Sequence, residues 1–321
     1  MNRLVRLAIA LSFLFTASFA AQAQEDACRS NERNDVYTNY YNKKKGGDAA
    51  KQKEAYEIAR QYLQKWPQCN DEYSAAARKF IDAYEVATAE FELRNKLFGT
   101  APNYAEAMEL GKKVLVAKPD DLNTLMMLGY GGYVALTKGD KSFIADATTY
   151  LRKALDQIQS GKTPAKWDPF QSKEDALGLL NFSLAEISAV NNDIAGALPL
   201  YFKALTIEGP TKKLAVVYGR LATVYEVSAK QASEDYTAKY AGKPETPESK
   251  AAYEKVNQTV DHLIDYYARA VSLIGDDKQL APHKAAWLER LTTLYKYRHE
   301  DKTDGLEAYM ASVMNSPLPQ P

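Results

Sequence analysis

A helical pattern that recurs along the chain limits what this sequence can fold into more than any other feature. The segments 54–63 (EAYEIARQYL) and 106–115 (EAMELGKKVL) align without gaps, and their alanines, Ala55 and Ala107, stand 52 residues apart. A proline follows each of these alanines by 12 residues. Self-similarity of this kind is typical of folds in which each unit packs against the next, so we expect a row of similar helical units.

The same pattern returns in the second half of the chain. Three further segments place a large residue three positions before a small alanine, with a basic residue between them, at Ala154, Ala204 and Ala270. The helical period extends over almost all of the 321 residues, and no run shows convincing alternation of apolar and polar side chains. The sequence therefore predicts an all-α fold.

These segments resemble the second helix of the tetratricopeptide repeat, in which small alanines let helix B lie close to helix A. Segments that resemble helix A carry Leu125, Leu128 and Gly129; Tyr218, Leu221, Ala222 and Tyr225; and Leu288, Leu291 and Tyr295. The resemblance covers most of residues 31–316 and implies a right-handed superhelical solenoid of about six antiparallel helix pairs. The period departs from the family, because successive anchor positions from Val114 onward are 40, 50 and 66 residues apart.

The first 23 residues are predicted to be a secretory signal peptide. Arg3 and Arg6 precede an apolar run over 7–20, and Ala21-Gln22-Ala23 provides the small-x-small pattern that signal peptidase reads. The run has 14 residues, whereas a transmembrane helix needs about 20. We therefore expect an exported bacterial member of the family, periplasmic or secreted and without a membrane anchor after cleavage, with a single solenoid domain over 24–315.

Export changes how the two cysteines are interpreted, because paired cysteines form disulfides in an oxidising compartment. Cys28 precedes the first predicted helix and Cys69 follows the second, so an antiparallel pair would bring them together. Closing this loop would stabilise the fold by about 4 kcal/mol in the chain-entropy model. The sequence therefore predicts a Cys28–Cys69 disulfide.

Charge and composition argue against several classes of function. Lys and Arg total 41 and Asp and Glu total 41, which disfavours a nucleic-acid-binding protein. Three histidines and two cysteines leave little material for a metal site or a Cys/His catalytic pair. We expect a protein that is not an enzyme and that uses no cofactor and no metal.

The tetratricopeptide resemblance also implies a binding surface. In that family the concave face, formed by helix A residues beside the packing positions, binds peptides. Transferred to this chain, that face comprises Glu85, Glu92, Asn123, Met126, Tyr130, Tyr133, Phe182, Glu186, Thr223, Glu226, Glu289, Thr293, Lys296 and Tyr297. An acidic and aromatic groove would favour a protein or peptide partner that carries Lys or Arg, although the same residues could form an ordinary solvated face.

A second hypothesis is end-to-end self-assembly into an extracellular filament. Leu306, Tyr309, Met310, Val313 and Met314 are spaced as one stripe of a terminal helix. An apolar terminal unit can stack on the first unit of another copy, which makes a filament when the contact does not close. The chain would then be a homo-polymer.

Several segments interrupt the helical pattern. Residues 161–171 and 242–249 have the composition of linkers, and the proline-rich segment 316–321 is predicted to be a disordered tail. Gly129, Gly131 and Gly132 fall within one predicted helix. Glycine is costly inside a helix, so these three favour close helix packing over a ligand-facing backbone.

Overall fold

The structure is a computed structural model that describes residues 27–275, 278 and 280–320. The predicted signal peptide over 1–23 lies outside the described residues. Within them the chain forms twelve α-helices and no strand, which confirms the all-α prediction. The helices are α1 Asn31–Lys45, α2 Ala49–Lys65, α3 Glu72–Phe98, α4 Tyr104–Ala117, α5 Leu122–Thr137, α6 Ile144–Gln159, α7 Lys173–Val190, α8 Ile194–Thr206, α9 Ala215–Tyr240, α10 Pro247–Ile274, α11 Ala281–Arg298 and α12 Leu306–Ser312.

Neighbouring helices pack as pairs. Helix α1 packs on α2, α5 on α6, α7 on α8 and α9 on α10. The short helix α12 differs, because it packs against α10, two helices back along the chain. Helices that are adjacent in sequence thus form packed pairs, while the superhelical hand and the number of repeats stay predictions.

Short polar side chains fix where several helices begin. Asp48, Asp121, Ser172 and Asp193 each accept a hydrogen bond from a backbone N–H in the first turn of the following helix. Thr246 and Ser249 form a capping box at the start of α10, with Pro247 between them. The linker predicted over 242–249 therefore ends early, because its last three residues already belong to α10.

The recurring alanines occupy buried packing positions. Ala55, Ala107, Ala154, Ala204 and Ala270 are all 0% exposed. A larger side chain at these positions would have no room in a close-packed interior. The repeated pattern in the sequence thus marks helix contacts.

The glycines of α5 also serve packing. A Cβ at position 129 would lie 2.9 Å from the Leu151 side chain, and one at position 132 would lie 2.6 Å from Ala147. A Cβ at position 131 would lie 2.5 Å from the Leu97 side chain. The three glycines let α5 approach its neighbours closely, as the packing interpretation predicts.

The described chain divides into two compact units. The first comprises 27–95 and 109–117, and the second comprises 96–108 and 118–320. One domain over 24–315 is the prediction from the sequence, because no boundary is followed by a different kind of sequence. The division falls inside α3 and α4, where no such signal would be expected.

The core of the first unit is rich in aromatic residues. Tyr40, Tyr62, Trp66 and Phe80 are buried together with small alanines. Cys69 belongs to this core, and it forms a disulfide with Cys28, their Cα atoms 5.6 Å apart. The predicted Cys28–Cys69 pairing is confirmed.

A second, larger core holds helices α7 to α12 together. Buried residues of this cluster include Tyr201, Tyr218, Leu221, Tyr266 and Leu291. The segment after α12 contributes as well, since Leu318 packs against the cluster and the Pro319 carbonyl accepts a hydrogen bond from Tyr266. The prediction of a disordered tail is therefore wrong for residues 316–320, which lie extended along the core.

Candidate binding groove

A cavity that gathers several predicted groove residues lies among α9, α10 and α11. It encloses about 600 Å³, and Thr223, Glu226, Thr293 and Tyr297 line it. Helix α11 is placed by Trp287, whose ring lies so close to Gly219 of α9 that a Cβ at Gly219 would overlap it. The structure thus brings four of the fourteen predicted residues to one site.

The groove has an apolar floor and a partly exposed apolar rim. Val256, Leu263 and Leu294 are buried beneath it. On the rim, Val227 is 52% exposed and Tyr297 is 55% exposed. Water therefore covers apolar surface that a bound segment would bury, and such burial is favourable.

Glu226 forms the polar wall of the groove with two partners. Its Oε1 accepts a hydrogen bond from Arg290 Nε at 2.5 Å and another from the Tyr267 hydroxyl at 3.1 Å. Burial raises the pKa of Tyr267, and the adjacent carboxylate adds to the rise. These two hydrogen bonds link Glu226 of α9 to α10 through Tyr267 and to α11 through Arg290.

Three tyrosines cluster beside the groove, and of these only Tyr297 lines it. The Tyr297 hydroxyl lies 3.4 Å from the Tyr253 hydroxyl, and the ring centroids of Tyr253 and Tyr236 are 5.5 Å apart. The hydrogen bond with Tyr253 raises the pKa of Tyr297, and burial adds to it. These rings offer contact area at a low entropy cost.

Part of the predicted groove belongs to the core. Met126 is 0% exposed and Phe182 is 4% exposed, so the prediction that they line an open groove is wrong. Tyr130 and Tyr133 are half-buried, with ring centroids 6.0 Å apart, and Tyr133 packs edge-on against Phe182. Helices α5 and α7 are apolar on several faces, and such helices are buried on more than one side.

Glu186 repeats the arrangement around Glu226. It accepts hydrogen bonds from the Tyr201 hydroxyl and, at 2.9 Å, from Arg220 Nε. In both cases a tyrosine of the following helix and an arginine of the next helix but one share a single carboxylate.

The remaining α5 prediction, Asn123, donates to the Asp168 carbonyl at 3.5 Å.

The other predicted residues lie apart from the α9–α11 groove or outside its lining. Glu85 and Glu92 belong to the first unit, where Glu85 accepts hydrogen bonds from the Tyr56 hydroxyl at 3.0 Å and Lys113 Nζ at 2.6 Å. Glu92 and Glu289 are exposed, and Lys296 lies 4.0 Å from Asp301.

Three of the carboxylates predicted for the groove form ion pairs within the chain. Glu85, Glu186 and Glu226 each have a basic partner that the sequence analysis did not include. A carboxylate that is already paired gains little from a further cation. The predicted preference for a partner rich in Lys or Arg is therefore not supported by this geometry.

The stripe predicted for self-assembly is largely occupied within its own chain. Leu306 is 6% exposed and Val313 is 2% exposed, while Tyr309 and Met310 pack against the same core. Met314 alone of the five is exposed, at 36%. Leu306 and Val313 are therefore not available for a contact between copies, because this segment folds back onto α10.

The sequence analysis missed most of the apolar groove residues. Val256, Val260 and Leu263 follow one another at spacings of four and three residues, which was a readable signal for one face of α10. Val227 and Arg290 belong to no such series of apolar residues at helical spacing. The tetratricopeptide pattern assigns binding positions only to helix A, so it does not identify groove residues on α10.

Comparisons with known proteins do not narrow the function. No protein-family model matches the chain, and neither curated proteins nor solved structures give a significant match. No described helix is long and apolar enough to cross a membrane, and the same residues contain no cluster of three or more His, Cys, Asp or Glu that could hold a metal ion.

Proposed function

We propose that this chain is an exported, non-enzymatic, tetratricopeptide-like protein that binds a partner protein or peptide in the groove among α9, α10 and α11. The observation that carries the proposal is the groove itself, an apolar-floored cavity of about 600 Å³ with an exposed apolar rim. Cavities of this size between helices are common binding sites.

The charge of the groove defines the partner's chemistry. Because Arg290 already neutralises Glu226, the partner segment is expected to bind through apolar side chains, with its polar groups at the rim. Val227 and Tyr297 would be its first contacts. Binding through a fixed, pre-organised surface also limits the entropy cost of association.

An exported location and a binding role agree with two further features. The Cys28–Cys69 disulfide suits an oxidising compartment such as the periplasm or the cell exterior. At the groove, Arg290 and Tyr267 both donate hydrogen bonds to Glu226, which suits a binding role better than proton transfer to a substrate.

The proposal is tested by the affinity of a partner isolated from the native host. The variant Val227→Asp places a charge on the apolar rim and should weaken binding at least about tenfold, since a buried unpaired charge is costly. Val190→Asp is the matched control, because Val190 is also a partly exposed valine, at 40%, and does not line the groove. Equal affinities for the two variants would refute the groove as the binding site.

A further inference from the structure

The extended segment 316–320 is held through its main chain. Arg269 Nη2 donates to the Ser316 carbonyl at 2.9 Å and to the Pro317 carbonyl at 3.0 Å. The Tyr266 hydroxyl donates to the Pro319 carbonyl at 2.9 Å. Every extended peptide presents carbonyls of this kind, so these contacts do not depend on the identity of the side chains bound.

Proline suits this surface for a physical reason. Helix α10 presents only donors to the segment at these contacts, and proline has a carbonyl but no N–H. Pro317 and Pro319 also favour the extended conformation before binding, which lowers the entropy cost. Leu318 lies between them and packs against the core.

The donors are built into the interior of the protein. Arg269 is 3% exposed, and its Nε donates to Asp265 at 2.5 Å. The Tyr309 hydroxyl donates to the same carboxylate at 3.3 Å. These hydrogen bonds hold the guanidinium in one orientation in the structure that has the segment bound.

A cavity lies beside Gln320, the last described residue of the segment. This cavity of about 580 Å³ follows α8, lined by Leu198, Pro199, Phe202 and Lys203. Gln320 is the only residue of the 316–320 segment that lines this cavity.

We propose that this second groove, formed by α8 and α10, binds an extended segment of another protein that carries an aliphatic residue between two prolines. Residues 316–320 occupy the groove when that protein is absent, and the incoming segment replaces them. This groove lies on other residues than the one among α9, α10 and α11, so the inference goes beyond the proposed function.

The test uses the full chain and a fluorescent probe peptide, Ser-Pro-Leu-Pro-Gln-Pro. The variant Leu318→Asp weakens the resident segment and should bind the probe at least about tenfold more tightly than the unmodified chain, because less of the groove is blocked. The double variant Leu318→Asp/Tyr266→Phe should bind the probe about threefold to tenfold more weakly than Leu318→Asp alone, the loss expected for one hydrogen bond. A control peptide with glycine in place of each proline should bind more weakly.

Equal probe binding by the unmodified chain and the Leu318→Asp variant, or no effect of Tyr266→Phe, would overturn the proposal. If circular dichroism shows that Leu318→Asp disturbs the helices, Leu318→Ala replaces it with the same expected direction. Sedimentation gives a further decision. A dimer of the unmodified chain that dissociates in the Leu318 variant would show that a second copy, and not another protein, exchanges this segment.

Discussion

A buried arginine anchors a chain segment outside the main helices in both compact units. In the first unit Arg33 is 1% exposed, pairs with Asp71 at 2.7 Å and donates to the Cys28 carbonyl at 2.6 Å. In the second, Arg269 is 3% exposed, pairs with Asp265 and donates to carbonyls of the segment after α12. The two anchors use the same chemistry.

The two anchored segments differ in the further contacts that hold them. The segment before α1 is also fixed by the Cys28–Cys69 disulfide, whereas the segment after α12 depends on hydrogen bonds and on Leu318. A covalent bond prevents exchange of the segment while the disulfide is intact, and non-covalent contacts permit it. The first anchor thus stabilises the fold, whereas under the proposal above the second also holds a segment that another can replace.

Removing the covalent bond should have the largest effect. The double variant Cys28→Ser/Cys69→Ser is expected to lower the free energy of unfolding by about 4 kcal/mol, the chain-entropy value for a loop of this length. Denaturant unfolding of the mature protein measures it, and reduction of the unmodified protein should give the same loss. A change below about 1 kcal/mol would mean that Arg33 alone holds this segment.

Removing Arg269 should lower the free energy of unfolding by somewhat less than removing the disulfide does. Arg269→Met leaves Asp265 buried without its cation, and breaking a buried pair in this way costs about 3 kcal/mol. Arg290→Met is the control, because the Arg290 side chain is 45% exposed and exposed pairs contribute about 1 kcal/mol or less. Thermal or denaturant unfolding of both variants should separate them. Equal losses would show that burial does not set the strength of the anchor.

Tyrosine hydroxyls in the two units should respond differently to removal. Tyr201→Phe deletes the donor to Glu186 and is expected to cost about 1 kcal/mol. The buried Tyr62 hydroxyl has no hydrogen-bond partner among the described residues, so Tyr62→Phe should be neutral or slightly stabilising. Unfolding free energies of the two single variants test this, and a larger loss for Tyr62→Phe would contradict the assigned hydrogen bonds.

Acid should act on the two aspartates in opposite senses. The hydrogen bond from Arg33 lowers the pKa of Asp71 from 3.8 to about 2, so its contribution to stability is present above pH 3.8 and is lost as the pH falls to about 2. Burial instead raises the pKa of Asp265, although Arg269 opposes the rise. An acid whose pKa is higher in the folded state than in the unfolded state contributes stability that is lost as the pH rises through the folded-state pKa.

The measurement is unfolding between pH 5 and pH 2, with Asp71→Asn as the control. The unmodified protein should lose more stability over this interval than the variant, which lacks the titrating carboxyl. If both lose the same amount, Asp71 does not couple to folding through Arg33.

The sequence predicted those features of the fold that depend on local patterns. Alanines at helical spacing revealed the packing positions, and all five that define the pattern are fully buried. Two cysteines on either side of a predicted helix pair revealed the disulfide. Both predictions need only the order of residues along neighbouring helices.

Features that depend on distant partners were not predicted. Arg33 and Asp71 are 38 residues apart, and Arg269 and Ser316 are 47 apart. The pattern of α5 did not reveal that Met126 is enclosed on every side. The apolar stripe of α12 was predicted to be exposed, because no local pattern in the sequence shows that α12 packs against α10. The candidate groove was therefore identified only in part.

The most direct test of the central claim, that the groove among α9, α10 and α11 receives a partner, is site-specific photocrosslinking in intact cells of the native host. A benzophenone amino acid is placed at Val227, on the groove rim, or at Val190, outside it. A partner in the groove should give a discrete crosslinked protein at position 227 and none at position 190. Identical products at both positions, or a partner captured only at position 190, would contradict it.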